Sequence, residues 1–215
     1  MSTQVPSSIV YRFGNGIYIN LTNRCPNLCA FCIKTKWNMD FHGNNLNLAN
    51  EEPAASQVLA ALEKEFQNGP FNEVVFCGYG EPTMRLPQLL EVAQTLKKGQ
   101  AEGKYPSFPL RLNTNGLGNL INKQNIVPAL AHVLDAVNIS LNAQDENTWR
   151  RLVRPQEAYQ NGYADVVEFI RLCVQAGIPK VVVSCVDKTG ADHQAVAKIA
   201  KQCGAQFYLR SFLDE

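Results

Sequence analysis

The sequence has no apolar stretch near the ~20 residues needed to cross a bilayer. Its start, Met-Ser-Thr-Gln-Val-Pro-Ser-Ser, has neither the basic residues nor the apolar centre of a secretory leader. Neither feature suggests a membrane-spanning or exported chain, and the expected location is the cytoplasm. Charge imbalance is nearly absent: 20 Lys and Arg face 19 Asp and Glu, a net of +1. Bulk charge therefore gives no support for nucleic-acid or membrane-surface binding. Low-complexity tracts, short-period repeats and linker-like stretches are also missing. With 215 residues, 46% of them apolar, one domain over 1–215 with a sizeable core is expected.

Cysteine is present in an odd number, seven. Cys77, Cys173, Cys185 and Cys203 are scattered. In a reducing compartment such lone cysteines are most often small core residues rather than disulfide partners. Cys25, Cys29 and Cys32 fall within eight residues. Three thiolates on one short loop can hold three corners of an iron–sulfur cluster. A four-iron cluster normally takes four cysteines, so a trio leaves one iron with an open position. In metal sites generally, an open position separates catalysis from a structural or electron-carrying role. Zinc is the competing reading, but it wants a fourth close ligand, and the nearest histidine is His42. Pro26 stiffens the turn between the first two cysteines. No second tight cysteine group follows, so an auxiliary cluster domain is not expected.

Six runs rich in Val, Ile, Phe and Tyr read as strands: Gly16–Thr22, Asn72–Gly78, Pro109–Thr114, Ala136–Asn142, Lys180–Val186 and Ala205–Phe212. Helical spacing marks Pro53–Gln67, Leu86–Lys98, Ile126–Leu134, Tyr163–Ala176 and Asp192–Cys203, with Gly177 and Gly204 at helix-to-strand handovers. Strands alternating with helices imply parallel strands joined by right-handed crossovers. Six units suffice for a partial β/α barrel; an open doubly wound sheet is the alternative. Both place the active site at the C-terminal strand ends. The cysteine loop, Gly78-Tyr-Gly-Glu-Pro82, Asn113-Thr-Asn-Gly116 and Ser140-Leu-Asn142 all fall there. Lys34–Glu52 is a long polar connection without helical period, a lid or substrate-loop candidate.

Cys25-x3-Cys29-x2-Cys32, with Phe31 before the third cysteine, resembles the signature of radical S-adenosylmethionine (SAM) enzymes. Gly80-Glu81-Pro82 resembles their methionine-binding motif, and the six βα units resemble their partial (β/α)6 TIM-like barrel. Asn20–Cys29, Phe76–Thr83, Asn113–Gly116 and Ile139–Ala143 look most like the TatD-associated radical SAM subfamily. The resemblance implies a [4Fe-4S] cluster on Cys25, Cys29 and Cys32, with SAM on the open iron. It further implies reductive cleavage of SAM to a 5′-deoxyadenosyl radical, which takes a hydrogen atom from a substrate. An electron donor such as flavodoxin or ferredoxin is then required. The substrate, a small molecule or a peptide, is not named by any motif. The competing functions are a glycyl-radical-activating or peptide-modifying enzyme and, outside catalysis, an iron–sulfur redox sensor or electron carrier.

The resemblance assigns further residues to SAM. Glu81, acceptor-only when ionised, suits its ammonium group. Gly78 and Gly80 let backbone approach the ligand, and Phe31 presses on the adenine. Ser140 and Asn142, two apart and so on one strand face, suit ribose hydroxyls or the carboxylate, although such groups also satisfy local backbone. Thr114 and Asn115 suit SAM or substrate. From their sequence setting, Arg154 and Arg210 are anion-binder candidates, with a solvated surface charge as the alternative for Arg154, which precedes Pro155 in a loop. Arg210 lies in an apolar run where an unpaired charge is expensive, so a ligand carboxylate or a protein acid is expected beside it. Cys77, just before the Gly78 turn, is either a core residue or a hydrogen-atom donor. His132 and His193 read as surface or packing residues.

Overall fold

Alternation in the short Val- and Ile-rich runs gives each strand one apolar face, which must be buried against helices. The computed structural model describes residues 6–49 and 51–213. Most of the segment on which the leader reading rests lies outside them, as does Asn50 within the 34–52 connection. In chain order the elements are β1 (Val10–Phe13), β2 (Gly16–Ile19), α1 (Ile33–Lys36), β3 (Asp40–Phe41), β4 (Asn44–Asn45), α2 (Ala55–Phe66), β5 (Glu73–Phe76), α3 (Leu86–Ala101), β6 (Leu110–Thr114), α4 (Gly118–Asn122), α5 (Val127–Ala131), β7 (Ala136–Ser140), α6 (Glu146–Val153), α7 (Tyr163–Gln175), β8 (Lys180–Val186), α8 (His193–Gln202) and β9 (Gln206–Arg210).

The main sheet runs β1-β2-β5-β6-β7-β8-β9. From β2 to β9 every neighbouring pair is parallel. These six strands are those expected from the sequence, each trimmed by up to a few residues at its ends. β1 was not expected. It folds back antiparallel on β2, with Phe13 opposite Gly16, across the two-residue Gly14-Asn15 turn. α6 was also not expected, although Asp145 caps it by accepting from Thr148 N–H at 2.8 Å.

Ile17, Ile19, Val74, Phe76, Leu112, Val137, Ile139 and Val183 pack with Val58, Leu89, Val92, Phe169 and Ile170 in one hydrophobic cluster. They alternate along their strands with a second face that bears polar side chains: Tyr18, Arg111, Asn113, Asn138 and Ser140. Arg111 stabilises that face by pairing with Glu73 at 2.6 and 2.8 Å and donating to Asn113 at 2.5 Å. The parallel sheet thus has one helix-covered face and one polar face, and its strand ends carry the motifs. Cys173, Cys185 and Cys203 are buried in the helix-side core, as lone cysteines should be.

The 34–52 connection is more ordered than its polarity suggested. It begins within the single-turn α1 and forms the β3–β4 hairpin. Its aromatic residues cluster: Trp37 stacks on Phe41 at 5.7 Å, and Phe41 packs edge-on to Tyr11 at 5.9 Å. Leu46 and Leu48 are buried, and the Leu46 carbonyl accepts from Asn20 and Asn23, each at 2.9 Å. Its second half is therefore fastened to the end of β2 rather than left as a free lid.

Candidate active site

The cysteine loop leaves β2 and is pinned from outside by the last turn of α6 and the segment after it. Leu28 N–H donates to Arg154 O at 3.0 Å, Ala30 N–H to Leu152 O at 2.9 Å and Gln156 N–H to Pro26 O at 2.8 Å. Cys32 N–H closes a turn onto Cys29 O at 3.1 Å. Cys25, Cys29 and Cys32 are free and partly exposed, and the first two feel the charge of other thiols in the trio. Burial pushes Cys25 up to about 11, with Glu81 adding to the rise and an Asn27 N–H bond opposing it. Burial, followed by the charges of Cys25 and Cys32, likewise pushes Cys29 up. Both are therefore thiols at neutral pH until a metal displaces their protons.

The Gly78–Pro82 turn after β5 meets this loop at van der Waals limits. A Cβ on Gly80 would lie 2.2 Å from Thr22 O and 2.6 Å from Arg24 O. One on Gly78 would lie 2.2 Å from Asn20 Oδ1. The glycines therefore let two strand-end backbones touch, a constraint within the protein that the sequence reading assigned to the ligand. Glu81 N–H seals the contact by donating to Arg24 O at 2.8 Å. Glu52 reinforces it, accepting from the Thr22 hydroxyl, from Arg24 at 2.7 and 2.9 Å and from Arg85 at 2.7 Å.

Glu81 is buried, and both carboxylate oxygens are occupied. Oε1 accepts from Thr83 N–H at 3.0 Å, Thr83 Oγ1 at 2.7 Å and Thr114 Oγ1 at 2.8 Å; Oε2 accepts from Asn115 N–H at 2.7 Å. Burial raises its pKa, while the bonds from Asn115 and Thr83 oppose the rise. The expectation that its side chain is open to a ligand ammonium is therefore revised: the carboxylate ties the end of β5 to the end of β6. Thr114, expected to face SAM, is buried and shares this task, donating to Glu81 and accepting from Gly116 N–H at 3.1 Å.

β7 ends at Ser140, and Asn142 adopts φ +61°. Strand alternation thus does not align the two, contrary to expectation. Asn142 is buried, and its Oδ1 accepts from Val186 N–H at 3.3 Å, so it joins the ends of β7 and β8. Ser140 is half-buried on the polar face. Phe31 is half-buried next to Cys32, outside the core cluster. Arg154 is an exposed helix cap at φ +48°, engaged with the cysteine loop through its carbonyl.

Arg210 corrects a burial argument. β9 is an edge strand with four of its five residues exposed, Arg210 among them, so its charge needs no buried partner. That charge still reaches the site, where it weakly opposes the burial-driven rise of Cys29 and Cys77. Cys77 is half-buried at the end of β5. Burial raises its thiol, a hydrogen bond from Asn113 opposes the rise, and its carbonyl accepts from Tyr11 Oη at 3.1 Å. His132 is exposed, and His193 opens α8.

Among the described residues, six buried side-chain polar atoms have no hydrogen-bond partner. Three of them, Asn20 Oδ1, Asn27 Oδ1 and Asn115 Nδ2, belong to the motif-bearing strand ends and the cysteine loop. Buried polar atoms are ordinarily paired, so this concentration fits a site shaped for a polar ligand. Sequence reasoning missed Asn27, whose position between two cysteines was the available signal. Three thiols on one loop suit an iron–sulfur cluster by their chemistry, while among the described residues no three Cys, His, Asp or Glu side chains are gathered closely enough to hold a single metal ion.

The same architecture occurs in solved structures. TYW1 with a lysine-pyruvate adduct bound aligns with a TM-score of 0.61 at 14% identity, over 93% of this chain and 65% of that one. The FeFe-hydrogenase maturase HydG from Carboxydothermus hydrogenoformans aligns at 0.61 and 14% identity, over 92% and 44%. Archaeal TYW1 aligns at 0.54 and 12% identity, over 93% and 66%. This chain thus spans less than two thirds of each, and the likeness is one of fold. No curated protein matches it by sequence. The Radical SAM superfamily profile matches residues 19–203, from the end of β2 to the end of α8, and the chain therefore belongs to the radical SAM superfamily.

Proposed function

We propose that this chain is a radical SAM enzyme that abstracts hydrogen from a substrate still to be found. Cys25, Cys29 and Cys32 hold a [4Fe-4S] cluster, which when bound supplies one-electron reductive cleavage of SAM to methionine and a 5′-deoxyadenosyl radical. The observation that carries this reading is the contact of the cysteine loop with the Gly78–Glu81 turn, with orphaned polar atoms in the cysteine loop and at the ends of β2 and β6.

The chain's own residues position the reactants and limit the reach of water. With the Glu81 carboxylate turned inward, the SAM ammonium falls to backbone carbonyls of the Gly78–Gly80 turn. Asn115 Nδ2, buried without a partner, donates to the carboxylate, and Ser140 to the ribose. Phe31 flanks the adenine. Arg210, at the end of β9, draws anions toward the site, while Arg154 stands on the outer side of the cysteine loop. Glu81 and Thr114 tie the end of β5 to that of β6, and Asn142 ties the end of β7 to that of β8, so their effect on SAM is indirect. The resemblance of its motifs extends the reading to the TatD-associated subfamily and to a cytoplasmic setting. No helix among the described residues is long and apolar enough to cross a membrane.

The test is electron paramagnetic resonance of the anaerobically reconstituted, reduced protein with and without SAM. SAM bound at an open iron changes the spectrum of the reduced cluster. An unchanged spectrum at saturating SAM overturns the assignment.

A further inference from the structure

The proposed reaction draws one electron per cleavage from outside the chain, so some surface near the cluster loop must receive a donor. Leu28 lies between the ligands Cys25 and Cys29 and is 68% exposed, the most open of the large apolar side chains. Its neighbours are basic. Its N–H is bonded to Arg154 O, and Arg151 and Arg154 are both exposed. Arg150 is met by Glu146 at 2.9 Å and Arg24 by Glu52 at 2.7 Å. Arg151 and Arg154 have no acidic partner among the described residues. Segment 24–36 holds three cations and no acid, and 150–157 holds three cations and one acid, Glu157, in a chain whose total is only +1. Arg151 and Arg154 thus stand as cations without an acidic partner among the described residues, beside the cysteine loop of a near-neutral protein.

We infer that Leu28, flanked by Arg151 and Arg154, is the docking face for a small acidic one-electron carrier protein, which is oxidised by one electron as the cluster is reduced by one. This rests on the radical SAM reading above. Transient redox encounters bury less than about 1,200 Å², so one exposed apolar anchor with a charged rim is enough. Complementary charge acts mainly on the encounter rate.

The test compares two reductants on the reconstituted protein: photoreduced plant-type ferredoxin, an acidic carrier, and dithionite. The variants are Leu28→Glu and Arg151→Glu, singly and together. Cluster reduction by ferredoxin should slow about tenfold or more in the double variant, and for the native chain it should slow as salt rises. Reduction by dithionite should stay within about twofold. An unchanged ferredoxin rate, or equal slowing with both reductants, overturns the docking assignment. A native chain that associates through this face, shown by light scattering and restored to monomer by Leu28→Glu, also overturns it. Failure of the native chain to cleave SAM with dithionite instead defeats the enzyme reading on which the assignment rests.

Discussion

Replacing Gly80 with alanine puts a Cβ 2.2 Å from Thr22 O, 2.6 Å from Arg24 O and 2.8 Å from Thr22 C. All three obstacles are backbone atoms, so no rotamer change relieves them. Ordinary non-bonded contact lies near 3.5 Å, so the two strand ends must separate by about 1 Å. Overpacking of this kind costs roughly 1–3 kcal/mol, and loss of the 2.8 Å bond from Glu81 N–H to Arg24 O adds about 1 kcal/mol. In a chain of this size each kcal/mol lowers the melting temperature by about 2–4 °C, so a fall of roughly 5–15 °C is expected. Arg24 immediately precedes Cys25, so iron content after anaerobic reconstitution should fall as well. Gly78→Ala should be milder, because its first obstacle is the movable Asn20 side chain. Thermal melts and iron analysis of both variants decide the matter. A Gly80→Ala protein that melts like the native one and loads a full complement of iron refutes the close-contact argument.

Glu81→Gln should lower stability by about 3 kcal/mol, because an amide NH2 then faces hydrogen-bond donors inside a buried network; a denaturant midpoint equal to the native one would contradict this. Cys29→Ala should fail to hold a four-iron cluster, and iron and sulfide analysis showing a native complement sinks the ligand assignment. Hydrogen bonds from Arg111 hold the Glu73 carboxyl below its ordinary value. Its contribution is therefore complete above about pH 4.3, the unfolded value, and is lost as pH falls through the lower folded value. Glu73→Gln should flatten the decline of stability below about pH 4.3, and denaturation at a series of pH values that gives parallel native and variant curves refutes it.

The parallel strands were legible because their apolar runs are short, β-branched and separated by helical periods. The missed elements had weaker hydrophobic signals but readable local ones. β1 is only Val10–Phe13, yet Gly14-Asn15 is a hairpin signal. α6 buries Trp149, Leu152 and Val153, three apolar residues at helical spacing in an otherwise polar stretch, and Asp145 with Thr148 is a helix start. That the cysteine loop and the Gly80-Glu81-Pro82 turn lie together at the strand ends was legible. The direction of the Glu81 carboxylate was not, because it depends on donors brought from β6 by the register of the sheet. The same holds for Gly80, whose obstacle is the backbone of a neighbouring strand. Arg210 misled because a run of apolar letters looks alike on a central and an edge strand. Only sheet order shows that β9 is open to solvent.

The most direct test of the central claim is to incubate the anaerobically reconstituted protein with dithionite and SAM and to quantify 5′-deoxyadenosine and methionine by chromatography. The account predicts that both form in equal amounts, depend on reductant and cluster, and vanish in Cys29→Ala. A protein with a full, reduced four-iron cluster that yields neither product contradicts it.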